Sequence, residues 1–150
     1  MYYLPYFYNQ GGFDDYRQQQ KKLLKDISKA VNDEFQAIQY YTRLAELAPN
    51  KQYRQTILAI RQDEIKHFHW FSKGYVDMSG KYPPIELGVA LPSSFKRGVR
   101  ESIKDEQETV PFYRNLAAQI ADQQLKERFQ MAADDEERHA QIFSQISSSI

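Results

Sequence analysis

Glu64-Ile65-Lys66-His67 and Glu136-Glu137-Arg138-His139 are two copies of one Glu-x-x-His segment, set 72 positions apart. The same offset relates Glu34 to Glu106, Tyr41-x-x-Leu44-Ala45 to Tyr113-x-x-Leu116-Ala117, and Phe71 to Phe143. Each half of the chain therefore carries a Glu and, thirty residues later, a Glu-x-x-His. Residues three apart on an α-helix share a face, so each segment presents a carboxylate and an imidazole one turn apart. That donor set, offered twice with a further Glu each time, is what a two-metal site between four helices requires.

The surrounding sequence supplies the helices. Phe13 to Ala48 runs without Gly or Pro and breaks at Pro49-Asn50. A second helix is expected from Lys51 to about Met78, stopped by Gly80 and by the linker that holds Pro83-Pro84 and Pro92. Ser93 or Ser94 can cap a third helix reaching about Ala121, which Pro111 can kink, and Asp122 can cap a fourth that runs to the Ser-rich tail. No segment alternates with period two, so the expected fold is all-α. The linker from Gly80 to Pro92 can span about 40 Å when extended, enough to return the chain along the length of a bundle. Two antiparallel helix pairs joined by this crossover, with an internal pseudo-twofold repeat, form the expected four-helix architecture.

Apolar residues recur in steps of three and four along every helix, and the repeat residues interrupt each stripe. The first reads Leu24, Ile27, Val31, Glu34, Ile38, Tyr41; the second Ile57, Ile60, Glu64, His67, Phe71. The third reads Val99, Ile103, Glu106, Val110, Tyr113, and the fourth Phe129, Ala132, Glu136, His139, Phe143. Glu34, Glu64, His67, Glu106, Glu136 and His139 thus occupy core positions near the middle of their helices. Glu101, Glu108, Glu137, Asp33, Asp63, Asp105 and Asp135 fall off these stripes and are expected on a solvated face. His69, two residues past His67, points away from the site, and Trp70 is expected in packing or an oligomer contact.

Composition narrows the chemistry. The 150 residues form about one domain, divided at the sequence level into a Tyr-rich extension over 1–13 and a bundle over 14–150. Twenty basic residues balance twenty acidic ones, so no net charge draws the chain to nucleic acid or to an anionic membrane. The absence of Cys excludes disulfides, thiolate zinc sites and iron-sulfur clusters. The first residues show neither a signal peptide nor a membrane span, so the expected location is the cytoplasm. The Tyr-rich extension is compatible with docking on a partner, docking on the bundle itself, or a free tail.

Four carboxylates converging in a core repel one another and cost several kcal/mol each to bury unpaired. Two divalent cations neutralise them and leave the imidazoles free to ligate. Carboxylate and imidazole donors without thiolate suit iron first and manganese second. A hydrogen-bonded polar layer that fixes helix register is the other account of core Glu and His. Two copies in one register, each preceded by a core Glu at the same spacing, favour the metal.

With these residues, Glu34, Glu64-x-x-His67, Glu106 and Glu136-x-x-His139, the chain resembles the ferritin-like di-iron carboxylate superfamily over about residues 14–147. Tyr41 and the Ala-rich flanks look most similar to the rubrerythrin group. The resemblance implies a ferritin-like bundle in which Glu64 and Glu136 bridge two iron ions. Glu34 with His67 would complete one coordination sphere, and Glu106 with His139 the other. Two departures stand out. Rubrerythrins carry a Cys-ligated rubredoxin domain, which a Cys-free chain cannot form, so any electron donor is a separate molecule. They also place an additional Glu one turn after the third-helix ligand, where this chain has Thr109, the repeat mate of Ala37. Only eleven residues follow His139, too few for the short fifth helix of ferritin cages, so a storage shell is not expected.

The expected activity is oxidation of Fe(II), or reduction of O2 or H2O2 with an external electron donor. A non-catalytic iron-binding or structural bundle in a larger assembly is the alternative. Tyr41 and Tyr113, seven residues beyond Glu34 and Glu106, fall one layer from the metals. They are candidates to relay electrons or hydrogen-bond a bound oxygen species, with plain core packing the favoured account. Pairing of the bundle as a homodimer is a further expectation.

Overall fold

The computed structural model describes residues 10–150, which form four helices: α1 (Gln10–Glu46), α2 (Lys51–Ser79), α3 (Phe95–Gln119) and α4 (Gln123–Ser148). No strand occurs among the described residues. The helix ends follow local chemistry. The Asn50 side chain accepts from the Tyr53 amide at 2.8 Å, and that of Asp122 accepts from Leu125 at 2.8 Å, each satisfying an amide with no intrahelical partner. Gly80 ends α2 at φ 71°, a left-handed conformation that needs no Cβ.

One detail differs from expectation. Helix α1 begins at Gln10 and passes through Gly11-Gly12, so the boundary drawn at residue 13 lies inside a helix. Glycine weakens a helix by about 1 kcal/mol relative to Ala but does not forbid it. Residues 11–19 are exposed throughout, and Leu23 is the first buried position. The Tyr-rich residues 1–9 lie outside the described residues. Helix α3 is continuous through Pro111, whose ring is on the exposed side, so the chain loses one helical hydrogen bond without losing the helix.

Helix α1 packs chiefly on α2 and α3 chiefly on α4; α2 touches α4, and α1 touches α3, over smaller areas. The connections within each pair are only a few residues long, which makes the partners antiparallel. Residues 81–94 form the crossover between the pairs. Asn32, buried on α1, holds it: its side-chain amide donates to the Pro84 carbonyl at 2.9 Å, and its side-chain oxygen accepts from the Glu86 amide at 2.7 Å.

The core consists of two apolar clusters with the Glu and His residues between them on every helix. One contains Ile27, Val31, Phe71, Tyr113 and Phe129; the other contains Tyr41, Leu44, Ile57, Ile60, Val99 and Phe143. Phe71 stacks on Phe129 at 3.9 Å, and Tyr113 meets both rings edge-on at 5.1 and 5.6 Å. Full burial of such side chains contributes about 1.5–3 kcal/mol each. The two clusters therefore hold the polar layer in place from either end. Among the described residues, no helix is long and apolar enough to cross a membrane.

Candidate metal centre

Each of the four helices delivers its donors to one level of the bundle. Glu34, Glu64, His67, Glu106, Glu136 and His139 are all buried, the most exposed being Glu106 at 4%. They form two overlapping groups, Glu34-Glu64-His67-Glu136 and Glu64-Glu106-Glu136-His139, and within each the ligating atoms lie within 4.8 Å of one another. Glu64 and Glu136 are common to both. His67 Nδ1 lies 3.2 Å from Glu136 Oε1, 3.5 Å from Glu34 Oε1 and 3.6 Å from Glu64 Oε2. His139 Nδ1 lies 3.0 Å from Glu64 Oε1, 3.3 Å from Glu136 Oε2 and 3.8 Å from Glu106 Oε2. All six residues selected from the sequence converge.

The opposite nitrogen of each imidazole explains why Nδ1 faces inward. His67 Nε2 donates to Asp135 Oδ2 at 2.9 Å, and His139 Nε2 donates to Asp63 Oδ2 at 3.0 Å. A carboxylate accepts and does not donate, so in the neutral ring it holds the proton on Nε2 and leaves the lone pair on Nδ1. Each bond runs between α2 and α4. Lys66 reaches Asp63 and Asp135 at 3.1 and 3.0 Å, and Arg138 reaches the same two at 2.8 and 3.0 Å. These four residues close the α2–α4 side of the centre with two cations and two anions.

Asp63 and Asp135 correct the sequence analysis, which placed them on a solvated face. They are only 26% and 15% exposed at the side chain and fix the histidines. Helical phase measured against a residue's own stripe overlooks a side chain that reaches across a groove to the next helix. The signal was present: Asp63 and Asp135, and Lys66 and Arg138, obey the same 72-residue offset as the donors. His69 is exposed, and the partly buried Trp70 packs against the core with its ring 5.8 Å from that of His67.

The tyrosines brace the α1–α3 side reciprocally. Tyr41 on α1 donates to Glu106 on α3, and Tyr113 on α3 donates to Glu34 on α1. Both hydroxyls are thus committed to donor carboxylates, and both rings belong to the apolar clusters. Burial first, then the neighbouring glutamates, push both phenols well above the usual tyrosine range, so they remain protonated donors. Between α1 and α3 a cavity of about 650 Å³ extends from the surface to Glu34, Glu64, Glu106 and Glu136. Ala37 and Thr109 line it one turn beyond Glu34 and Glu106, and the Thr109 hydroxyl donates to the Asp105 carbonyl at 2.8 Å.

A model of the rubrerythrin family matches residues 25–147. The chain belongs to the rubrerythrin family. It is 42% identical over 121 residues to the uncharacterised protein YhjR of Bacillus subtilis, covering 81% of this chain and 83% of that one. Its fold is similar to that of a Desulfovibrio desulfuricans bacterioferritin described with a di-iron site (TM-score 0.74, 19% identity, 87% and 81% of the two chains). It is also similar to a ferritin-like di-iron-carboxylate protein of Bacillus anthracis (TM-score 0.70, 20% identity, 86% and 97%). A hypothetical protein of Pyrococcus furiosus matches at TM-score 0.74 and 20% identity over 84% and 88%. At these identities the structural likeness establishes the ferritin-like fold.

The buried Glu and His groups of this rubrerythrin-family site are of a kind that could hold metal ions. Glu64 Oε1, His67 Nδ1 and Glu136 Oε1 are buried and find no well-aligned hydrogen-bond partner, although His139 Nδ1 stands 3.0 Å from Glu64 Oε1 and His67 Nδ1 3.2 Å from Glu136 Oε1. Each such orphan costs about 1–3 kcal/mol unless something else engages it. Facing one another in the core, the carboxylates compete for protons. Burial and then the nearby glutamates push Glu34 and Glu106 well above the ordinary carboxylate range. Burial alone would lower the two imidazoles, but hydrogen bonds reverse this, led by Asp135 for His67 and by Glu106 for His139. Glu136 shifts the other way: burial raises it, and hydrogen bonds from Glu106, His139 and His67 bring it below its usual value. For such donors to bind a divalent metal, these protons have to leave.

Proposed function

We propose that this chain binds two iron ions and works as a redox enzyme. It would oxidise Fe(II), or reduce O2 or H2O2, with electrons from an external donor. The supporting observation is the pair of overlapping donor groups that share Glu64 and Glu136. In this reading Glu64 and Glu136, common to both groups, would help hold both ions, Glu34 and His67 would help hold one, and Glu106 and His139 the other. Four carboxylates then meet four positive charges, and both imidazoles ligate through Nδ1 in the neutral form.

An iron pair held there would supply the two electrons with which one H2O2, taking up two protons, is reduced to two waters. The protein's part is geometry and protons. Asp63 and Asp135 hold the imidazoles in register, and the apolar clusters keep bulk water from the ends of the site. Tyr41 and Tyr113 steady Glu106 and Glu34 by hydrogen bonds that weaken the basicity of each carboxylate. Manganese meets the same donor set and is the alternative metal.

Anaerobic titration with Fe(II), followed by O2 or H2O2, tests the proposal. Two irons per chain and oxidation faster than that of free Fe(II) are expected. Fewer than two irons would dismiss the dinuclear centre. Two irons that oxidise no faster than the free ion would leave a non-catalytic iron-binding bundle.

A further inference from the structure

The two sides of the centre that face solvent differ in charge. On the α2–α4 side, Lys66 and Arg138 stand over Asp63 and Asp135, presenting cations outermost and a closed ionic network behind them. On the α1–α3 side, the cavity of about 650 Å³ is lined by three further carboxylates, Asp33, Asp105 and Glu108, against one lining cation, Lys29, with Lys104 outside the lining and 3.7 Å from Glu108. Lys29 pairs with Asp33, and its ammonium also lies 4.7 Å over the Phe112 ring. Asp33 and Asp105 obey the 72-residue offset and precede the donors Glu34 and Glu106 directly. The inner end of the cavity reaches the candidate centre itself: Glu64 Oε1 and Glu136 Oε1, on residues 1% and 2% exposed, have no well-aligned hydrogen-bond partner and stand 3.0 and 3.2 Å from the His139 and His67 Nδ1 atoms.

We propose that this cavity is the route by which divalent cations enter the centre, with Asp33 and Asp105 receiving the ion at the rim and passing it to Glu34 and Glu106. The proposal rests on the metal-binding function above and adds the direction of entry and the residues that set its rate. Lys29 opposes entry, because it neutralises Asp33 and adds a positive charge to the mouth. A charged, low-dielectric funnel raises the capture rate of an oppositely charged ion by about 10- to 1,000-fold, and salt abolishes the gain. Neutral O2 and H2O2 receive no such help. The rim therefore distinguishes a cationic substrate from a neutral oxidant at the same opening.

Stopped-flow loading of the full chain with Co(II), read from visible ligand-field absorption, tests the route without reference to turnover. In dilute buffer D33N/D105N should load about tenfold more slowly than wild type, yet reach the same stoichiometry, and the difference should vanish at 1 M salt. K29Q should load faster. D134N/E137Q removes the same charge from exposed residues that pair with Arg114 outside the cavity, and should load at the wild-type rate. Pre-loaded Fe(II) protein should react with H2O2 equally fast in wild type and D33N/D105N. Equal loading by D33N/D105N and wild type, equal slowing by D134N/E137Q, or an equal slowing of the peroxide reaction overturns the route. Wild-type protein that takes up no Co(II) overturns the metal-centre proposal, and this one with it.

Discussion

The α2–α4 and α1–α3 sides of the centre are built from the same repeat and behave oppositely. On the first, each helix lends an Asp to the other helix's His, and two cations tie the pair of aspartates together. On the second, the tyrosines cross between helices to single carboxylate oxygens, and beside them lies a cavity open to the surface. The larger contacts of the bundle lie within the α1/α2 and α3/α4 pairs, so both of these interfaces are the looser ones. An ionic network stiffens one; the other keeps its space. Ligand orientation is thereby separated from ligand access, and a site can be rigid without being sealed.

The largest effect should come from breaking the donors that the two sides share. Glu64→Ala or His139→Ala is expected to abolish dinuclear binding; unchanged stoichiometry by elemental analysis in either variant would show that the ligands lie elsewhere. Next is the closed side. Asp63→Asn and Asp135→Asn should each weaken metal affinity by about 10- to 100-fold, measured by competition with a chelator. An effect no larger than that of Glu137→Gln would remove their role in fixing the histidines.

Burial, then the charges of Glu64 and Glu136, push Glu34 and Glu106 above the ordinary carboxylate range, so metal competes with protons at both. Apparent affinity should therefore rise with pH, by about tenfold per unit for each proton displaced. Calorimetry in buffers of different ionisation enthalpy should record protons released. For the protein without metal the sign is opposite. Raised carboxyls favour the folded state fully below their unfolded values, and this contribution fades as pH climbs through the raised ones. The smallest effect belongs to the open side: Tyr41→Phe removes one hydrogen bond to Glu106, worth about 0.5–1.5 kcal/mol in a thermal melt. A loss of oxidation rate far beyond that would assign Tyr41 a part in electron relay.

Much of this centre was legible in the sequence because helical period and repeat offset are one-dimensional properties. Glu34 and Glu106 interrupt apolar stripes, and a carboxylate in a stripe signals a core position whatever the partner helix does. The six donors and the helix ends at Gly80 and Asp122 follow from such local rules. Asp63 and Asp135 did not, since their value depends on which helix lies across the groove. The start of α1 escaped for a different reason: two glycines lower helix propensity without setting a boundary, and α1 extends through them.

The chain's order of residues determined by itself that four helices would each bring one carboxylate, and two of them an imidazole, to the bundle's middle. Spacing of three and four residues leaves no other face for them. Only the tertiary structure decided how the sides of that centre differ. Asp63 meets His139 across 76 positions of sequence, and Tyr113 meets Glu34 across 79. Such contacts depend on how α2 sits against α4 and α1 against α3. That packing is chosen by the shape of the whole core, and no stretch of a single helix encodes it.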